Sequence, residues 1–168
     1  MVKNIKLDKS FKNIDINLLK DLGIKGVIVD LDNTLFDYNS LKFRKGYSKK
    51  FKELKENFKV VILSNRINIK KDNHFHKTYD KLRVPIVRSN KPKPFFEGFN
   101  KALSKLDLKK DEVLIIGDRV GTDILGGYFF GINTLLVKPI TKNEFFLIRF
   151  VRLIESFILY VFLKLKSQ

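Results

Sequence analysis

Apolar positions along the chain fall into two rhythms. Short β-branched runs recur at "GVIVDL" (26–31), "KVVILS" (59–64), "VPIV" (84–87), "EVLIIG" (112–117) and "INTLLV" (132–137). They are apolar along nearly their whole length, the pattern of strands buried on both faces of a parallel sheet. Between them, near 47–57, 68–80, 95–106 and 121–130, the apolar residues take the spacing of amphipathic helices. A shorter helix, "DINLLKDLG", precedes the first run and stops at Gly23. Strands alternating with helices predict a doubly wound α/β domain with helices on both faces of the sheet.

In such sheets ligands bind beyond the carboxyl ends of the strands. The polar residues obey that rule here. The first run ends in Asp30 and Asp32, the second in Ser64 and Asn65, the fourth in Gly117 and Asp118, and "RSNKPKP" with Lys91 and Lys93 follows the third. Four segments therefore send polar groups towards one rim.

Composition changes the picture only modestly. The 168 residues suit one domain with a real core. Cysteine is absent, which excludes disulfides and thiolate metal sites and fits a reducing cytoplasm. The N-terminus has no apolar core of the kind a secretory signal needs. A net charge of +16 invites a polyanion, nucleic acid or an anionic membrane face. Of 34 basic residues only 7 are Arg, and the Lys is dispersed, so specific nucleic-acid readout is disfavoured.

The rim carries the chemistry. Residues two apart in an extended strand project to the same side, so Asp30 and Asp32 share a small space. Carboxylates brought together repel unless a cation compensates, and Asp118 adds to the deficit. Oxygen ligands converging in this way suit Mg²⁺, which often bridges to a phosphate. One carboxylate is then free to attack and the other to move a proton, while Ser64 and Lys93 hold phosphoryl oxygens.

These segments resemble the four motifs of the haloacid dehalogenase (HAD) superfamily: "DLDNT", "VILSN", "KPKPFFEGFNKAL" and "IIGDRVGTDILGG", in that order between about residues 10 and 140. "GIKGVIVDLDNTL", "GDRVGTDILGG" and "GINTLLVKPI" resemble more specifically the YqeG-type phosphatases of subclass IIIA, kin to mitochondrial phosphatidylglycerophosphatase. The resemblance implies a Rossmann-like sheet and an aspartyl-phosphate on Asp30, with Asp32 as acid and base. It implies Mg²⁺ on Asp30, Asp118 and the backbone carbonyl of Asp32. Phosphate binding by Ser64, Asn65 and a motif-three lysine follows, with Thr34 and Asp123 in support. Either Lys91 or Lys93 can be that lysine, and the spacing to Phe99-Asn100 favours Lys93.

Taken alone, Asp30 and Asp32 followed by Asn33 and Thr34 read as a strand-end turn with a helix cap. The three supporting segments tip the balance to a site. His74 and His76 receive no role. Thr34 to Ser64 spans 30 residues and Ser64 to Lys93 spans 29, which leaves no room for a cap domain.

The expected organisation is a capless phosphatase domain over 1–140 and a terminal helix over 141–168. That tail is long enough to span a bilayer, but Arg149, Arg152 and Glu155 at roughly 3 kcal/mol each cancel an apolar gain of roughly 8. A packing or dimerising helix and a membrane-interfacial helix are both open. The oligomeric state is not legible. The activity that the resemblance implies is hydrolysis of phosphatidylglycerophosphate, in the cytoplasm or peripherally on the inner membrane face. A soluble phosphate ester as substrate, or an accessory protein binding RNA or a ribosomal partner, are the alternatives.

Overall fold

The computed structural model describes residues 4–37, 42–65 and 82–141. In chain order the strands are β1 (Asn4–Lys9), β2 (Gly26–Val29), β3 (Lys59–Leu63), β4 (Ile86–Val87), β5 (Val113–Gly117) and β6 (Asn133–Val137). The helices are α1 (Ile16–Asp21), α2 (Tyr47–Asn57), α3 (Phe96–Leu106) and α4 (Leu125–Phe130). The strands form one sheet in the order β1-β6-β5-β2-β3-β4, and every pairing is parallel.

Strand periodicity divides the core into two layers. Val27, Val29, Val60, Ile62, Leu114 and Ile116 face Leu19 of α1 and Tyr47, Phe51 and Leu54 of α2. The alternate residues Ile28, Val61, Leu63, Val113 and Ile115 face Phe99, Ala102 and Leu106 of α3 and Phe130 of α4. Both faces are thus covered, which is why the runs read as continuously apolar. Asp15 caps α1 by accepting from the N–H groups of Asn17 and Leu18.

Three local expectations need correction. β1 was not anticipated: "NIKLDK" mixes Lys and Asp with apolar residues, and it pairs only with β6 at the sheet edge. The run 84–87 shortens to a two-residue strand because Pro85 has no N–H to donate, although its carbonyl still accepts from Ile62 at 3.0 Å. The helix expected over 121–130 opens instead as a π-turn, Val120–Ile124, before α4 begins. The helix expected near 68–80, the His74–His76 pair and the tail beyond Thr141 lie outside the described residues. Among the described residues no helix is long and apolar enough to cross a membrane.

Candidate active site

The register of β2 against β5 builds the site. Ile28 pairs with Ile115 and Val29 with Ile116, and the Asp30 N–H continues the ladder by donating to the Ile116 carbonyl at 2.9 Å. Asp30 therefore arrives beside the end of β5, where Asp118 follows Gly117. The chain then turns sharply. The Leu31 carbonyl accepts from both Leu35 and Phe36 at 3.0 Å, and Asn33 takes a left-handed φ of 63°. That turn leaves Asp32 partly buried and brings fully buried Thr34 back to donate to Asp118 Oδ1 at 3.2 Å.

The π-turn explains Asp123. The N–H groups of Asp123 and Ile124 both donate to the Arg119 carbonyl, at 3.0 and 3.3 Å. The widened turn carries the Asp123 carboxylate back over Gly117. A Cβ on Gly117 would lie 2.4 Å from Asp123 Cγ, so only glycine admits this approach. Carboxylate oxygens of Asp30, Asp118 and Asp123 all lie within 4.8 Å of one another, and all three residues are buried.

Lys93 closes the cluster. Its ammonium donates to Asp30 Oδ1 at 2.5 Å, to Asp123 Oδ1 at 2.6 Å and to the Leu63 carbonyl at 3.0 Å. Asn65 positions the loop: its Oδ1 accepts from the Lys93 N–H at 2.7 Å and its Nδ2 donates to the Lys93 carbonyl at 3.2 Å. The peptide bond between Lys93 and Pro94 is cis. Pro94 lies against α4 at Gly126, where a Cβ would come within 3.0 Å of it. Lys91, by contrast, is exposed, and its N–H bonds to Ser89 and Glu97 outside the cluster.

Burial pushes the Asp30 carboxyl well above the ordinary carboxylate range; Lys93 opposes this, while Asp123 and Asp118 add to it. Burial alone would pull the Lys93 ammonium down, but the Asp123 and Asp30 charges outweigh it and hold Lys93 above its ordinary value. Three buried carboxyl groups share a single ammonium, and such a set of hard oxygen donors fits a divalent cation of the Mg²⁺ kind.

Of the residues singled out from sequence, Asp30, Thr34, Asn65, Lys93, Asp118 and Asp123 come together through the contacts above. Ser64 directly follows β3 and is buried, its N–H 3.4 Å from the Val87 carbonyl. Asp32 lies outside the set of three clustered carboxylates. Sequence reasoning passed over Asn33. Its Oδ1 accepts from the Thr141 hydroxyl at 2.8 Å and its carbonyl from the Ile140 N–H at 2.9 Å, tying the turn after β2 to the segment after β6. An Asn after two aspartates reads as turn chemistry, which hides that role.

The chain matches the family described as mitochondrial PGP phosphatase over residues 4–141. A probable phosphatase, YqeG, of Bacillus subtilis (strain 168) is 36% identical over 152 residues, covering 90% of this chain and 86% of the relative. Phosphatidylglycerophosphate phosphatase 1, chloroplastic/mitochondrial, of Arabidopsis thaliana is 29% identical over 155 residues; that match covers 88% of this chain and 44% of the plant protein. Among solved structures, an uncharacterized protein from Listeria monocytogenes serotype 4b superposes with a TM-score of 0.57 at 23% identity, over 72% of this chain and 84% of that one. A HAD-superfamily hydrolase of subfamily IA from Geobacter sulfurreducens PCA superposes with a TM-score of 0.56 at 16% identity, over 67% and 89% of the two chains. The two superpositions bear on the fold alone, a Rossmann-like parallel α/β sheet. The family match, running from β1 to the segment just after β6, covers every described residue of the cluster, and the chain belongs to the mitochondrial PGP phosphatase family.

Proposed function

We propose that the chain is a capless phosphomonoesterase that dephosphorylates phosphatidylglycerophosphate to phosphatidylglycerol at a membrane surface. The observation that carries this reading is the rim cluster, in which a strand-end carboxylate, Asp30, is gripped by a buried lysine beside two further carboxylates.

In the proposed reaction an Asp30 oxygen attacks phosphorus and the ester P–O bond breaks, leaving an aspartyl-phosphate. Asp32 gives its proton to the departing alkoxide. It then takes a proton from the water that attacks the aspartyl-phosphate, releasing inorganic phosphate and restoring Asp30. Ser64 holds a phosphoryl oxygen, Lys93 offsets phosphoryl charge from its place between Asp30 and Asp123, and Thr34 fixes the orientation of Asp118. Asp30 and Asp118, with the Asp32 carbonyl, would hold Mg²⁺, which when bound offsets the phosphoryl charge and favours the ionised form of Asp30. Asp123 orients Lys93 and borders the metal position.

Support for the lipid substrate comes from the name of the plant relative and from the protein surface. Phe95, Phe96 and Phe129 are 59, 46 and 63% exposed. Phe95 caps α3 and Phe96 opens it, two and three residues after Lys93. The Phe96 ring packs on Phe130 of α4, so the exposed aromatics belong to adjoining elements. Together with a charge of +16, this suits peripheral contact with an anionic bilayer. A panel comparing phosphatidylglycerophosphate in mixed micelles with soluble sugar and glycerol phosphates tests the assignment. A kcat/KM for the lipid well above the soluble esters is the expected outcome; preference for a soluble ester would overturn it.

A further inference from the structure

One cation adjacent in sequence to the cluster takes no part in it through its side chain. The Lys93 ammonium has its three donors engaged by Asp30, Asp123 and the Leu63 carbonyl. Asn65 has both ends of its amide engaged by the Lys93 backbone. Arg119 directly follows Asp118, and its main-chain N–H donates to Asp123 Oδ2 at 3.2 Å. No hydrogen bond or ion pair of its guanidinium is found among the described residues, and its Nε is buried without an acceptor.

A buried N–H donor without an acceptor is costly, and Arg cannot shed its charge to reduce that cost. Such a group needs an acceptor from a water, an ion or a ligand. A ligand in that role would be anionic, would lie within one side chain of Asp118, and would accept from a planar fork of donors. A phosphate diester, with two non-bridging oxygens, meets all three conditions.

We infer that Arg119 forms a second anion subsite beside the phosphoryl site, taking the internal phosphodiester of a substrate whose terminal phosphomonoester is hydrolysed. The inference rests on the phosphatase reading and deepens it. In phosphatidylglycerophosphate a single glycerol separates the two phosphates, so a substrate held at Asp30 by one carries the other close by, where Arg119 would take it. The subsite gives a capless enzyme a means of selecting its substrate: a simple ester fills the phosphoryl site alone, whereas the two-phosphate headgroup fills both. Carbonyl or hydroxyl ligands would satisfy Nε as well, but they would leave the guanidinium charge without a counterion.

The test compares the full chain with Arg119→Gln and Arg119→Lys. Two substrates are used: dihexanoyl phosphatidylglycerophosphate below its micelle concentration, which removes any membrane contribution, and p-nitrophenyl phosphate. In Arg119→Gln the ratio of kcat/KM for the short-chain lipid to that for the aryl ester falls about 10- to 100-fold, mainly through KM, as expected for a lost hydrogen-bonded charge. Arg119→Lys recovers only part of the ratio, because an ammonium cannot match the fork. A parallel fall for both substrates, or an unchanged ratio, overturns the subsite. So does a wild-type enzyme that hydrolyses the aryl ester without favouring the short-chain lipid, an outcome that leaves the phosphatase reading standing. If neither ester is hydrolysed, the phosphatase mechanism fails, and calorimetric titration with the short-chain lipid decides the subsite separately. Weaker binding by Arg119→Gln supports it, and equal binding overturns it.

Discussion

The Lys93 ammonium lies 2.6 Å from Asp123 Oδ1, although the two residues stand 30 apart in the chain and on different elements. Lys93 comes from the loop before α3 and Asp123 from the π-turn before α4. Their meeting over the end of β2 joins the third and fourth sequence motifs to the first. Both side chains are essentially buried, so the pair is sustained by mutual compensation and by the Asp30 contact rather than by solvent.

That relationship separates the two lysines of the "KPKP" segment. Lys93→Met should lower turnover by about 10²-fold or more, since it removes the buried cation beside the proposed nucleophile Asp30. It should also cost about 3–5 kcal/mol of stability, by leaving Asp30 and Asp123 uncompensated. Lys91→Met, at an exposed position, should stay within about 0.5 kcal/mol of the parent. Kinetics on an aryl phosphate and thermal melts of both variants check this. Equal losses would assign no special role to the buried lysine.

Gly117→Ala probes the close approach of Asp123. The added Cβ would meet Cγ and Oδ2 of that carboxylate at 2.4 Å, too near to coexist. The expected cost is about 1–3 kcal/mol for overpacking, with activity lost beyond what the melting temperature explains. Normal melting and normal turnover together would show that Asp123 can move without consequence.

Asn33 combines a left-handed backbone with side-chain bonds to Thr141. Asn33→Gly keeps the backbone freedom and loses the bonds; Asn33→Ala loses both. The alanine variant should therefore be less stable than the glycine variant by about 1 kcal/mol, measured by urea denaturation. The reverse order would mean that backbone strain at this turn is negligible.

The exposed aromatics make a separate prediction. Replacing Phe95, Phe96 and Phe129 by Ser should weaken co-sedimentation with anionic vesicles by about tenfold or more, since each ring that enters an apolar environment is worth about 1.5–3 kcal/mol. Hydrolysis of a soluble aryl ester should change far less. Unaltered vesicle binding would remove these residues from the interface and leave the terminal segment to account for any membrane contact.

Much of this architecture was legible because burial on both sheet faces writes unbroken apolar runs, as in Val27–Val29 and Val113–Ile116. Asp30, Asp118 and Lys93 were legible for a related reason: each polar residue interrupts or follows such a run at its carboxyl end. β1 was not, since an edge strand tolerates the Lys and Asp residues that mark a segment as solvated. Nor was the π-turn at Val120–Ile124, because periodicity does not distinguish one extra residue in a turn from a continuous helix. The roles of Asn33 and Gly117 depend on what lies opposite them, Thr141 and Asp123, and a single chain read in order does not carry those contacts. Arg119 escaped notice in a sequence with 34 basic residues, where one more cation carries little signal.

The central claim is that Asp30 is a nucleophile working with a divalent cation. The most direct measurement is steady-state hydrolysis of an aryl phosphate by the parent chain and by Asp30→Asn, each with Mg²⁺ and with a chelator. The account predicts hydrolysis by the parent in Mg²⁺ alone, and a fall of about 10³-fold or more in Asp30→Asn, whose neutral amide is a poor nucleophile and a poor cation ligand. Near-normal turnover by folded Asp30→Asn, or full activity of the parent in chelator, would contradict it.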